Sequence, residues 1–517
     1  MSAPVSVPIY LMGIDIGTYS SKGVLVAEDG TVVASHVTPH TIEMPHPGWV
    51  EQDADGIWWH DCVTICRQLL AQSGIDSKQI AALGISSTSP CVLPVDAAGR
   101  PLRPGILYGI DTRATAEIAE LEAELGAETL FERYCAKLSS QSTSPKILWL
   151  RKHEPAVWHK THLLLGGAGY LVYRLTGEAV LDIYDAGAYA PLFDVQECAW
   201  NPDMTDRLAP LERLPRLTWT CEIAGRVTAD AAALTGLAAG TPVITGTADA
   251  AAEAISAGLA NPGDLMVMYG SSIFFILKTD RLYNSRQFWG TRFLEPDTYA
   301  VAGGMSTAGS LTRWFRDNFA EGEAAAESAG GANAYAALAE LAAGSPPGAR
   351  GLVALPYFAG ERTPIFDPDA KGLLIGLTLS HTRGDIYRAL LESVGYGIRH
   401  NLDAMRAEGM APARILAVGG GTLNRAWMQM VSDIAGIEQH IPAQQIGAAY
   451  GDAFLAGVGI GLFGGACDAG RWVQVQEIVR PTASTHAIYS RYYQVYRDVY
   501  RETVGSMHRL GELASQR

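Results

Sequence analysis

The sequence predicts an α/β protein built from two large domains, and three observations carry that prediction. Its 517 residues exceed what one hydrophobic core organises. Hydrophobic residues make up 48% of the chain and charged residues 18%, the composition of well-packed units and far from that of disordered chains. Strand-length apolar runs and helical stretches occur in both halves, and a turn-rich interval with Pro210 and Pro215 lies between them.

The elements follow in order. Residues 9–16 form an apolar run of strand length that carries one acid, Asp15. Residues 23–35 (GVLVAEDGTVVAS) set two β-branched segments around Asp29-Gly30, a strong hairpin signal. Residues 79–86 and 91–107 read as further strands, the second with a turn at 96–99, and 114–125 as a helix. A second strand-rich set begins near Thr241 and continues through 264–277, 352–356 and 413–418. Each half runs an apolar strand into glycine and hydroxyl residues, GTYSS at 17–21 and GSS at 270–272.

The Ala/Gly/Glu-rich residues 320–343 read as a helix with a surface loop at Gly330-Gly331. Thr382 and Asp385 make a capping-box pattern at the head of a long helix over 382–406, with Ile386, Leu390 and Val394 on one face. Tyr492, Tyr496 and Tyr500, spaced i,i+4 within 488–504, mark a packing face.

A net charge of -15 and a pI near 5.3 argue against non-specific nucleic-acid binding, which depends on Lys and Arg neutralising phosphates. They leave room for one small anion in a local positive site. The seven cysteines are scattered without CxxC pairs, so reduced thiols in the cytoplasm are expected rather than zinc. The amino terminus has no basic region before its short apolar run, and no stretch approaches the length of a membrane span, so neither export nor membrane insertion is expected. His36, His40 and His46 lack repeated ligand spacing and are assigned no metal. Residues 459–464 match GxGxxG but follow a helical segment rather than a strand, which removes the dinucleotide reading. No P-loop pattern occurs.

Three stretches can carry chemistry. In GIDIGTYSSKG a bare carboxylate, Asp15, ends an apolar strand, where burying it unpaired costs several kcal/mol. Gly17 permits a tight turn, Thr18, Ser20 and Ser21 offer hydroxyls and successive N–H groups to an anion, and Lys22 adds charge. Mg²⁺ between Asp15 and a phosphate would reconcile the two; a strand-end aspartate bonding its own turn has the same local pattern. In TGTADAAAEAI, Asp249 stands at a helix start, where the dipole favours an ionised base, although aspartate there is also a common cap. Gly270, Ser271 and Ser272 could hold a second phosphate. Residues 419–424 (GGGTLN) form a glycine-rich strand-to-helix turn that lets a ligand approach backbone, or else an ordinary tight turn.

Taken together these stretches resemble the FGGY family of carbohydrate kinases, in order along nearly the whole chain. GIDIGTYSSKG looks like the first phosphate loop, HPGWVEQD at 46–53 the early signature, TGTADAAAEAI the catalytic segment and YGSS the second phosphate loop. GLTLSHTRGDIYRALLESVGYGIRHNL at 376–402 looks like the carboxy-domain signature, and AVGGGTLNRAWMQMVSDIAG at 417–436 the adenosine-binding turn. The resemblance implies a two-domain actin-like ATPase (ribonuclease H-like) fold with a central cleft. It divides the chain into an N-terminal domain at 1–252, a nucleotide-binding C-terminal domain at 253–480 and a terminal helical segment at 481–517. It implies ATP and Mg²⁺, with Asp249 as general base, also touching the acceptor, and Asp15 ordering Mg²⁺ through water. Thr18, Ser20, Lys22, Gly270 and Ser271 would hold phosphates, and Gly309, Gly420 and Asn424 the nucleotide's other end.

For the acceptor, PYFAGERTPIFDPDAKG at 356–372 looks most like the xylulokinases, which implies phosphorylation of D-xylulose to D-xylulose 5-phosphate. Ser89 and Pro90 stand where xylulokinases carry Met-His and glycerol kinases Arg-Glu, which signals altered polyol selectivity. Asp111 and Arg113 are further acceptor candidates, in a segment one residue longer than the family pattern. A kinase for ribulose, gluconate or glycerol is the alternative, as is a non-catalytic ATP-binding module on the same fold. Family habit points to a homodimer.

Overall fold

The protein is described by a computed structural model over residues 8–135 and 137–515. The chain folds into two compact units, each assembled from separated stretches: one from 1–260, 279–300 and 446–473, the other from 261–278, 301–445 and 474–517.

The first unit is built on a mixed sheet of β1 (Tyr10–Ile16), β2 (Ser20–Ala27), β3 (Val32–Pro39), β4 (Ile80–Ser87), β5 (Ile223–Arg226), β6 (Pro242–Ile244) and β7 (Thr247–Ala248). Its order is β5-β6-β4-β1-β2-β3, with β7 also on β4. The hairpin at Asp29-Gly30 forms as the sequence predicts, Gly30 N–H donating to the Ala27 carbonyl at 2.9 Å. β1 lies between an antiparallel neighbour, β2, and a parallel one, β4. It is covered on both faces, which is why it reads as an unbroken apolar run rather than an alternating one. Gly13 and Gly84 sit side by side in the β1–β4 ladder. A Cβ on Gly13 would lie 1.9 Å from the Ala449 carbonyl oxygen, and one on Gly84 2.1 Å from that of Asp452. Their bare backbone lets the helix Ala448–Gly459 lie directly on the sheet, and that helix brings Asp452 beside the end of β1.

Between 91 and 107 two short strands, Leu93–Val95 and Gly105–Ile106, flank the turn, with antiparallel bridges Val92–Ile106 and Val95–Pro101. Pro94, Pro101 and Pro104 supply no ladder N–H and keep both short. The 96–99 turn forms, with Asp96 N–H bonded to the Arg100 carbonyl.

In the second unit β8 (Asp264–Tyr269), β9 (Ile273–Thr279), β10 (Tyr299–Met305), β11 (Arg414–Val418), β12 (Gln439–Pro442) and β13 (Val475–Val479) run in the order β10-β9-β8-β11-β12-β13. The β8–β9 hairpin with parallel β11 repeats the plan of the β1–β2 hairpin with parallel β4. The capping box forms: Thr382 Oγ1 accepts the Asp385 N–H, and the Asp385 carboxylate accepts the Thr382 N–H at 2.8 Å, opening the helix Arg383–Ala407. Residues 320–343 form two helices, Glu321–Ser328 and Ala334–Ala343, because Gly330-Gly331 interrupts them. Along the helix Ala483–Ser515 the buried tyrosines are Tyr489, Tyr493 and Tyr496, with Tyr492 and Tyr500 at the edge, so the predicted row packs on the core but Tyr489 and Tyr493 lie deeper than Tyr492 and Tyr500. No helix among the described residues is long and apolar enough to cross a membrane. All seven cysteines are free thiols.

Candidate active site

β1 ends at Ile16 and β2 starts at Ser20, so residues 17–19 are the turn between them, closed by Gly17 N–H on the Ser20 carbonyl at 3.1 Å. The turn's three carbonyls are each occupied. The Gly17 oxygen accepts from His40 Nε2 at 3.0 Å, the Thr18 oxygen from Gln52 Nε2 at 2.9 Å, and the Tyr19 oxygen from the His40 N–H at 3.0 Å. The N–H groups of Thr18 and Tyr19 have no partner among the described residues. Successive open N–H groups with their carbonyls engaged elsewhere make an anion-binding concavity. Thr18 Oγ1 lies 3.3 Å from Thr88 Oγ1 and 3.2 Å from the Tyr108 hydroxyl.

Asp15 stands opposite Lys22 in the β1–β2 ladder. Burial raises its carboxyl to about 6, against the opposing pull of Lys22, the Ser86 hydroxyl and His40. Burial, then the charge of Asp15, raises Asp249 well above the ordinary carboxylate range, with Asp185 and Glu253 adding to it and the Ala250 N–H opposing. Glu253 is pushed up to about 7 by burial and Asp15, eased by Lys22. Asp452, raised by burial, accepts from Ser86 Oγ at 2.7 Å, and its Oδ1 has no partner among the described residues. Four acids thus act on one another around a single lysine, a charge excess that suits a cation. Among the described residues no group of three or more Asp, Glu, His or Cys side chains is placed to hold a metal ion, so a cation beside Asp15 would keep water in its coordination shell.

Asp249 is the first residue of the helix Asp249–Ser256, and the cap position belongs to Ala248, which makes no side-chain cap bond. Its carboxylate accepts the Ala250 N–H at 2.7 Å. Asp249 therefore sits one residue inside the cap position, where its carboxylate satisfies one free first-turn N–H.

Raised acids make stability depend on pH. Glu253 binds its proton more tightly in the folded chain, moving from 4.5 to about 7, so its contribution is complete below 4.5 and lost as pH rises through about 7. The melting temperature of the ligand-free protein should fall between those two values. Glu253→Gln should make the fall shallower in a pH series of thermal melts; an unchanged slope would remove Glu253 from the cluster.

In the second unit, the Gly270 carbonyl accepts the Gly309 N–H at 3.0 Å, and the Ser271 carbonyl accepts the N–H groups of Ala308 and Ser310, each at 2.9 Å. The N–H groups of Ser271 and Ser272 have no partner among the described residues, so the second loop repeats the first. A Cβ on Gly309 would come 2.6 Å from the Gly270 oxygen, which explains glycine there. A Cβ on Gly420 would meet nothing within 4 Å, so protein packing does not demand glycine at that position. Asn424 Oδ1 caps the helix Arg425–Ala435 through the Trp427 N–H at 3.0 Å, and Leu423 beside it is 79% exposed.

Ser89 Oγ donates to the Asp185 carboxylate, followed by Pro90. Asp182 secures that segment: it accepts from Thr220 at 3.0 Å, from Thr247 at 2.8 Å and from the Asp185 N–H at 3.2 Å, so Asp185 is tied to the strand leading into Asp249. Asp111 and Arg113 pair with each other at 2.7 Å, with neither side chain exposed. Asp111 also accepts the Val50 N–H at 2.6 Å. Arg113 reaches Glu51 at 2.7 Å and lies over the rings of Trp49 and Trp149 at 4.3 and 5.0 Å. The pair closes on itself and ties residues 49–51 to 111–113.

Glu253, Asp452, Asp185 and Tyr108 were not singled out from sequence. Glu253 follows Asp249 by one helical turn, and Asp452 is a lone acid in the apolar stretch AAYGDAFLAG; both signals were legible. The contact between Ser89 and Asp185 had none.

The N-terminal domain of the FGGY family of carbohydrate kinases matches residues 10–256, and the family's C-terminal domain matches residues 265–460. A xylulose kinase of Escherichia coli (strain K12) is 30% identical over 501 residues, spanning 96% of this chain and 99% of that protein. A ribulokinase of Geobacillus thermodenitrificans (strain NG80-2) is 30% identical over 534 residues, spanning 94% of this chain and 93% of that protein. The crystal structure of a xylulose kinase from Rhodospirillum rubrum superposes with a TM-score of 0.89 at 34% identity, covering 96% of this chain and all of the other.

Proposed function

The chain belongs to the FGGY family of carbohydrate kinases, and we propose that it phosphorylates a primary hydroxyl of a pentulose, converting D-xylulose to D-xylulose 5-phosphate. The enzyme is a sugar kinase with the two-domain actin-like ATPase fold of its family, and it uses ATP. The observation that carries the reading is Asp249: a half-buried acid at the first position of its helix that feels the charges of Asp15 and Glu253. Asp249 takes the acceptor hydroxyl proton on its carboxylate. Thr18 in the turn after β1 and Ser20 and Lys22 at the start of β2 bind nucleotide phosphate, and Gly270, Ser271, Gly309, Gly420 and Asn424 supply nucleotide contacts in the second unit. Ser89, with Pro90 beside it, and Asp185 orient the acceptor. Burial around these acids excludes water that would otherwise compete for the phosphoryl group.

Mg²⁺ fits the first unit. Asp15 would hold it through water, and Glu253 and Asp249 would feel its charge, which offsets the burial that raises all three carboxyls and the Asp15 charge that adds to it at Asp249 and Glu253. When bound there, the ion supplies charge neutralisation for the transferring phosphoryl group. We assign the reaction to the cytoplasm and the working form to a homodimer.

A coupled ADP-release assay over pentuloses, polyols and aldonates tests the reading. D-Xylulose should give the highest kcat/KM. A better ribulose, gluconate or glycerol would transfer the assignment to that acceptor, an outcome to which Ser89-Pro90 lends weight because neither xylulokinase nor glycerol-kinase pair is kept. ADP release that needs no sugar would leave only an ATP-binding module.

A further inference from the structure

We propose that His40 is a positioning residue of the first phosphate loop: its imidazole, braced by Asp61, holds the Gly17 carbonyl and its backbone N–H the Tyr19 carbonyl, so the Thr18 and Tyr19 N–H groups stay open to an anion. The proposal rests on the kinase reading in one respect, that the anion is a nucleotide phosphate.

Both ring nitrogens face acceptors. Nε2 lies 3.0 Å from the Gly17 carbonyl oxygen, which can only accept, so Nε2 carries hydrogen. Nδ1 lies 2.9 Å from Asp61 Oδ2, a carboxylate oxygen that also accepts from Ser21 Oγ at 2.7 Å. The ring therefore donates on both sides, as an imidazolium does. The pair is nearly enclosed, with 6% and 5% of the two side chains exposed, and the hydrogen bond and charge of Asp61 raise His40 above its ordinary range against the lowering effect of burial.

Each partner has a structural reason to be there. Pro39, the last residue of β3, pairs with Ser20, so the chain leaves the sheet directly behind the turn and His40 folds back over it. Asp61 lies in the first turn of the helix His60–Ser73, where the helix dipole favours a carboxylate. A buried ion pair is weak as a source of stability, since desolvation offsets most of its attraction. What this pair provides is direction. His40 makes two bonds to the turn, one from its backbone N–H to the Tyr19 carbonyl and one from its ring to the Gly17 carbonyl. With those carbonyls engaged they cannot rotate toward the anion and repel it.

The test measures ATP binding to the full-length chain by calorimetry, alongside KM for ATP and for the sugar. His40→Leu removes both ring donors and should weaken ATP binding and raise its KM by about tenfold, the loss of one charge-assisted hydrogen bond, with the sugar KM unchanged. His40→Gln keeps a donor for the Gly17 carbonyl and should recover much of that loss. Wild-type ATP affinity in His40→Leu, an equal rise in both KM values, or a His40→Gln variant no better than His40→Leu would overturn the clamp. Should His40→Leu fail to fold, Asp61→Asn removes the brace while keeping its shape; folded protein with unchanged ATP affinity would likewise overturn it. Wild-type protein that binds ATP but phosphorylates no sugar would defeat the proposed reaction, and the His40 variants would still decide the clamp.

Discussion

Asp249→Asn should lower turnover by about 10²–10⁴-fold, or about 3–5 kcal/mol of barrier, while ATP still binds and the melting temperature stays close to wild type. The two halves of that expectation have separate causes. Turnover falls because an amide cannot take the hydroxyl proton. Stability holds because Asp249 is not the helix cap, its one backbone donor is the Ala250 N–H, and an amide oxygen can still accept it. The variant also removes a half-buried acid that Asp15, Asp185 and Glu253 repel, so a small stability gain is the direction to expect. Steady-state kinetics with a coupled ADP assay, calorimetry for ATP and a thermal melt separate the effects. Near-normal turnover by folded Asp249→Asn would end its assignment as the base.

Arg113→Met should show the reverse pattern. The guanidinium is fully buried, paired with Asp111 and Glu51 and lying over two tryptophan rings. Glu51 would keep Arg103, but Asp111 would be left with backbone donors, no ion-pair partner and only the charge of Lys146 nearby. Removing one partner of a buried pair costs about 3–5 kcal/mol, and urea unfolding should read a loss of that order. A stability change below about 1 kcal/mol together with a steep rise in the sugar KM would instead make Arg113 a direct acceptor contact. The sequence alone did not distinguish these roles, because an Asp-x-Arg pair looks the same whether it faces a ligand or itself.

Much of the fold was legible locally. The Asp29-Gly30 hairpin, the Thr382–Asp385 capping box and the helix Arg425–Ala435 each depend on neighbours within a few residues, and turn chemistry and periodicity report on that range. The strands around the 96–99 turn also form, shorter than the apolar content of 91–107 suggests because Pro94, Pro101 and Pro104 supply no ladder N–H. The tyrosine row 492, 496 and 500 does pack on the core, but Tyr489 and Tyr493 lie deeper than Tyr492 and Tyr500, because i,i+4 spacing alone cannot say which of several tyrosine rows is most buried.

The sequence by itself determined the family, the two-part plan and the turns that could cradle anions, since glycine and hydroxyl residues after a strand are a local signature. Only the tertiary structure decided what surrounds Asp15 and what holds the first turn in shape. Ser86 and Asp452 meet although 366 residues separate them, because Gly13 and Gly84 let one helix lie against the sheet. His40 reaches Gly17 because β3 runs back antiparallel beside β2 and ends opposite Ser20. Burial and charge act through space, and spacing along a chain does not record which distant groups will share a low-dielectric neighbourhood.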